Sequence, residues 1–116
     1  MTGAGERFGA FIRREREARG LSLRVMAKMI KVSPTFLSKV ETEDWKPREE
    51  KIRAIAEIIG CDTDDLLARA GRVSTDITDI IKRHPVELAL LLRTTKNLTA
   101  KDIARLARDA QKTKGK

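Results

Sequence analysis

Between Ser33 and Lys39 the chain reads SPTFLSK. At helical spacing this sets Thr35, Ser38 and Lys39 on one side and Phe36, Leu37 and, one residue on, Val40 on the other. Two hydroxyls and an ammonium form no nucleophile–base pair. Their chemistry is recognition: hydrogen bonds to donors and acceptors, and ion pairing with phosphate. Catalysis finds little support elsewhere. The chain holds one His, His84, and one Cys, Cys61, and no Gly-rich phosphate loop. Asp62, Asp64 and Asp65 look like a fragment of a calcium loop, but they open a helix and lack the distal Glu. His84 has no second ligand at metal spacing, and a lone Cys makes neither an internal disulfide nor a Cys-rich zinc site. No enzymatic activity, metal or cofactor is expected, and Cys61 reads as a small core residue rather than a redox switch.

The recognition segment needs a scaffold, and its neighbours supply one. Ser22 is a good N-cap for a helix over 23–30 with Val25, Met26, Met29 and Ile30 on one face, so that Met26 and Met29 are expected in the core. A turn follows at Lys31-Val32. Ser33 caps a second helix over 34–42, with Pro34 at its first position, where a missing N–H costs nothing. Two helices at this spacing make a helix-turn-helix, whose second helix enters the DNA major groove.

The chain here resembles the lambda repressor/Cro-like family, also called XRE-type regulators, over about residues 8–71. The resemblance is carried by Arg16, Arg19-Gly20-Leu21-Ser22, Ala27, Val32-Ser33, Leu37-Ser38, Val40-Glu41 and Pro47. Ile52, Ile55, Ala56, Ile59-Gly60 and Asp65-Leu66-Leu67 continue it. It implies five helices and a sequence-specific DNA-binding domain. It also implies a structural ion pair between Arg16 and Glu41, bridging the first helix to the end of the third. Two positions depart from the family pattern. Leu23 stands where a phosphate-binding Gln is common, and Lys31 replaces the usual turn Gly. If Lys31 keeps a left-handed backbone, the cost is roughly 1 kcal/mol.

Composition agrees with a nucleic-acid partner. The 116 residues carry a formal net charge of +8, with aromatics at 3% and no Tyr, so aliphatic side chains must fill the core. The charge is uneven: +7 over residues 7–39, −4 over 40–71 and +6 over 72–116. The stretch MTGAGERFGAF has no apolar core of a secretory signal, and no run approaches a membrane span of roughly 20 residues, so a cytoplasmic protein without membrane contact is expected.

The coarse reading is all-α. A first helix over 7–19 buries Phe8, Phe11 and Ile12. A fourth over 49–59 buries Ile52, Ile55, Ala56 and Ile59 and stops at Gly60. Asp62 or Thr63 caps a fifth over 64–70, ended by Gly71. The DNA-binding domain is thus placed at 6–71. Beyond it, Ser74 or Thr75 starts a sixth helix with Ile77, Ile80 and Ile81, ended at His84-Pro85. A seventh, from Pro85, has Val86, Ala89 and Leu90 on one face and Leu88, Leu91 and Leu92 on another. Thr99 with Asp102 caps an eighth, whose stripe is Ile103, Leu106, Ala107 and Ala110. Three short helices make a poor core by themselves. Residues 72–112 therefore read as a helical dimerisation region, with homodimer contacts through 73–111, followed by a flexible basic tail over 113–116.

The expected interface has two tiers. Base readout falls to Pro34, Thr35, Ser38 and Lys39, with Pro34 either an apolar contact or simply the helix starter. Phosphate contacts fall to Ser22, Arg24, Lys28, Lys31, Ser33, Thr42, Lys46 and Arg48. Trp45 is expected to pack over the loop between the third and fourth helices. The leading functional expectation is a homodimeric transcriptional repressor on an inverted-repeat operator in double-stranded DNA. The alternative is an antitoxin-like or adaptor protein whose C-terminal helices bind a partner protein. A non-specific nucleoid binder driven by charge is the third.

Overall fold

The computed structural model describes residues 6–114, so residues 1–5 of the N-terminal stretch and 115–116 of the expected tail lie outside the described residues. The described chain forms eight α-helices: α1 Phe8–Ala18, α2 Leu23–Met29, α3 Pro34–Glu41, α4 Glu49–Ile59, α5 Thr63–Arg69, α6 Thr75–Arg83, α7 Pro85–Thr95 and α8 Ala100–Lys114. Two compact units divide it, the first ending at Ser74 and the second beginning at Thr75.

Local capping starts the helices where the residue types demand. The Ser22 and Ser33 hydroxyls accept from the N–H groups of Val25 and Phe36 at 3.1 and 3.0 Å. Asp62, not Thr63, caps α5, accepting from Asp64 and Asp65. Gly60 closes α4 in the left-handed region at φ 71. In the first unit α3 packs on α1 and α2, and α5 packs on α4. Their shared core is Phe8, Phe11, Ile12, Met26, Ala27, Ile30, Leu37, Val40, Ile52, Ile55, Ala56, Ile59, Leu66, Leu67 and Ala70. Met29 and Val25 are corrections to the sequence reading: they stay 51% and 47% exposed. The seven-residue α2 buries only the arc of Met26 and Ala27, and these two sit on the neighbouring arc.

Arg16 and Glu41 form the expected pair in bidentate geometry, Nε to Oε2 at 2.8 Å and Nη2 to Oε1 at 3.0 Å. The remaining guanidinium nitrogen, Nη1, donates to the Leu21 carbonyl at 2.9 Å. One side chain thus ties α1 to the loop before α2 and to the end of α3, and both partners are almost wholly buried. Gly9 lets α1 approach this closely. A Cβ there would fall 2.6 Å from the Val40 carbonyl oxygen and closer still to that of Glu41.

The first unit runs past the expected Gly71 boundary because Ser74 is buried, with its hydroxyl accepting from Arg53 at 3.2 Å. In the second unit α6 packs on α7, and the Thr99–Asp102 capping box forms as read. Among the described residues, no side chain from Thr75 to Thr113 is buried. Helix α8 runs through Thr113 and Lys114, where the basic tail was expected.

Removing one member of the Arg16–Glu41 pair leaves a buried unpaired charge. Arg16→Ala and Glu41→Ala should each cost about 3–5 kcal/mol in chemical denaturation, and Arg16→Met with Glu41→Leu should lose less than the sum.

Candidate nucleic-acid interface

The face of α3 opposite the core is bare. Pro34, Thr35 and Lys39 are exposed and Ser38 is half-buried at its edge, while Leu37 and Val40 point into the core. Among the described residues, neither Thr35 nor Lys39 has a side-chain hydrogen bond or ion pair within the chain. Phe36 only half follows the core expectation: it is partly buried and meets Trp45, their ring centroids 5.5 Å apart. Trp45, itself in the α3–α4 loop, thus packs back on α3 and stays 48% exposed.

The cations divide into two groups. Arg13, Arg14, Arg16, Arg19 and Arg53 are held by carboxylates. Arg19 also donates to the Ile59 carbonyl, and Lys51 to the Ile30 carbonyl at 3.0 Å. Arg69 lies 4.0 Å above the Phe11 ring, and Arg14 stands 5.3 Å from the same ring. The Glu6 carboxylate, hydrogen-bonded and charge-paired to Arg14, is held below the usual carboxylate range. Arg24, Lys28, Lys31, Lys46 and Arg48 make no side-chain hydrogen bond or ion pair among the described residues, and all are exposed. These are the five cations among the eight residues that the sequence assigned to phosphate, and Arg7 and Lys39 are likewise exposed and without such bonds.

Two hydroxyls of that set, Ser22 and Ser33, are spent on capping. Both sit at helix N-termini, where backbone N–H groups gather. The Thr42 hydroxyl is engaged within the chain. It lies 2.8 Å from the Asp44 carboxylate and 3.2 Å from the Lys39 carbonyl, so its proton is used internally.

Lys31 has φ 62, the left-handed turn that its position implied. Glu43, at φ 70, is a second such residue, and sequence reasoning missed it. Its carboxylate accepts from the Gly9 N–H, securing the loop after α3 to the start of α1. Lys51 was missed as well. By reaching the last carbonyl of the α2 end it braces the turn from which α3 departs. The available signal was a Gly inside a helical pattern for Gly9; nothing local marks Glu43 or Lys51. Cys61 packs on the core edge, and burial pushes its thiol up, so it stays protonated.

Residues 7–70 match the family profile described as a helix-turn-helix domain. This chain belongs to the lambda-repressor-like helix-turn-helix family. Its DNA-binding regulator fold is shared with the P22 c2 repressor in complex with synthetic operator 9T: 26% identity over 53% of this chain and 92% of that one, TM-score 0.50. The solution structure of the P22 c2 DNA-binding domain gives 26% identity over 56% and 86% of the two chains, TM-score 0.51. The clp gene regulator ClgR from Corynebacterium glutamicum is 30% identical over 55% of this chain and 83% of its own, TM-score 0.47. None of the curated proteins compared with this chain matches it. Among the described residues, no helix is long and apolar enough to cross a membrane.

Lys31→Gly should raise stability by about 1 kcal/mol in thermal or denaturant unfolding, because the left-handed residue loses its Cβ penalty. The same substitution should weaken DNA binding, since it also removes a free cation.

Proposed function

We propose that this chain is a transcriptional repressor that binds an inverted-repeat operator as a homodimer. The observation that carries the reading is the unengaged outer face of α3, with Thr35 and Lys39 free of internal bonds and free cations on the segments around it. Thr35 meets a thymine methyl or donates to a base edge, and Lys39 reaches guanine O6/N7. Ser38 contacts from the rim, and Pro34 offers apolar contact only. Arg24, Lys28, Lys31, Lys46 and Arg48, with the N-termini capped by Ser22 and Ser33, hold phosphate and set the register. The P22 c2 repressor in its operator complex supports this placement by analogy.

Duplication supplies site length. A single helix-turn-helix reads few base pairs, and two, about 34 Å apart, read one turn of a palindrome. The apolar residues assigned to self-association are open: Ile77 and Ile80 at 39%, Val86 at 76%, Leu91 at 49%, Leu92 at 50%, Ile103 at 43% and Leu106 at 45% exposed. Ile81 and Leu88 are half-buried. Exposure on this scale, with nothing buried beneath it, favours a covering partner. A second copy of the chain fills that role and gives the operator its symmetry. One further observation favours a second reading. Leu90, 68% exposed, and Leu91 lie on different faces of α7, so a copy covering one face leaves the other for a partner protein, as in an adaptor or antitoxin-like protein.

Two measurements test these assignments. In footprinting over the region upstream of its own gene, Thr35→Ala and Lys39→Ala should each relax sequence preference and cost about 1–3 kcal/mol of specific binding; unchanged footprints in both would defeat the readout assignment. Sedimentation of the purified chain should show a dimer. Leu91→Lys should yield a monomer with weakened operator affinity; a wild-type chain that stays monomeric until another protein is added supports the adaptor reading instead.

A further inference from the structure

A cavity of about 270 Å³ opens within the first unit, between the start of α1, the loop joining α3 to α4, and the end of α5. Arg7, Lys46 and Arg69 line it, the last with its guanidinium stacked on Phe11, against one carboxylate, Glu43, which the Gly9 N–H already engages. Phe8 and Trp45 supply apolar wall. The Lys46 ammonium is turned toward the cavity: it would lie 3.6 Å from a Cβ placed on Gly71, another lining residue. Neither Arg7 nor Lys46 has a side-chain hydrogen bond or ion pair among the described residues. A concave lining in which exposed, unpaired Arg7 and Lys46 stand beside the Phe8 and Trp45 rings suits an anion with a flat apolar body. Guanidinium groups both stack on rings and pair with carboxylates. The volume lies just under the roughly 300 Å³ lower end for ligand sites, which limits the ligand to a single ring.

We propose that this cavity binds a small single-ring aromatic anion, and that occupancy draws Lys46 away from DNA. The second half rests on the proposed DNA reading, in which Lys46 contacts phosphate. One ammonium cannot serve both partners fully, so the ligand and the operator oppose each other, and the effect is reciprocal. The site is an effector pocket placed against the loop that carries two of the phosphate contacts, Lys46 and Arg48.

Trp45 is the only Trp of the chain and lines the cavity, so its fluorescence reports occupancy without any DNA. The full-length protein is titrated with benzoate at constant ionic strength, with benzyl alcohol and inorganic phosphate as separate arms. Benzoate should give a saturable change, and Lys46→Gln should weaken it by about tenfold, as the loss of one charge-assisted contact. Equal responses to benzyl alcohol, equal responses to phosphate, or an unaltered titration in Lys46→Gln would each overturn the site. In a second arm, saturating benzoate should lower operator affinity of the wild type. Arg7→Gln should keep the wild-type affinity but lose the benzoate effect. A saturable fluorescence change with unchanged operator affinity overturns the regulatory half alone. A protein that binds no operator in the absence of benzoate defeats the DNA reading and leaves the fluorescence result standing.

Discussion

The buried pair of Arg16 and Glu41 is the constraint on which the recognition surface depends. Helix α3 holds only eight residues and α2 only seven, too few to hold their geometry in isolation. Their placement comes from contacts made at their ends. Arg16 reaches across from α1, takes the Glu41 carboxylate with two nitrogens and the Leu21 carbonyl with a third. It therefore sets where α3 finishes and where α2 is entered with one planar group, whose directions are fixed by its own bonding. Gly9 permits that approach, and Glu43 latches the following loop to the same helix. At the other end of α2, Lys51 braces the turn. The outer face of α3 is thus presented by a frame of polar links around an aliphatic core.

The parts of this frame that the sequence made legible are the local ones. Ser22, Ser33, Asp62 and Thr99 bond to backbone two or three residues away, so residue type and position suffice to read them. The burial of Ile52, Ile55, Ala56 and Ile59 follows from helical spacing, and Arg16 with Glu41 from family resemblance. The links that escaped the sequence reading join distant segments. Gly9 to Glu43 spans 34 positions, Arg19 to Ile59 spans 40 and Lys51 to Ile30 spans 21. No period or cap marks such contacts. Met29 failed for a different reason: an apolar arc shows which side of a helix can be buried, and the neighbours decide how much of it is. The bond from the Thr42 hydroxyl to Asp44, two residues on, was not read from the sequence either.

Sorting cations by engagement separates those that build the fold from those that face solvent, which net charge does not. Arginines dominate the paired group, where planar donors match carboxylates and carbonyls, and lysines are the majority among the exposed cations without internal bonds. The +7 charge of residues 7–39 is therefore not one uniform field. Part of it is neutralised by Glu6 and Glu41, which lie outside that stretch and pair with Arg14 and Arg16.

The helices from Thr75 onward are 9, 11 and 15 residues long, with no buried side chain among the described residues, and lengths of that order are marginal in water. A partner that covered them would stabilise them to a degree that rises with its concentration, so the last third of the chain is where binding and folding are most directly linked.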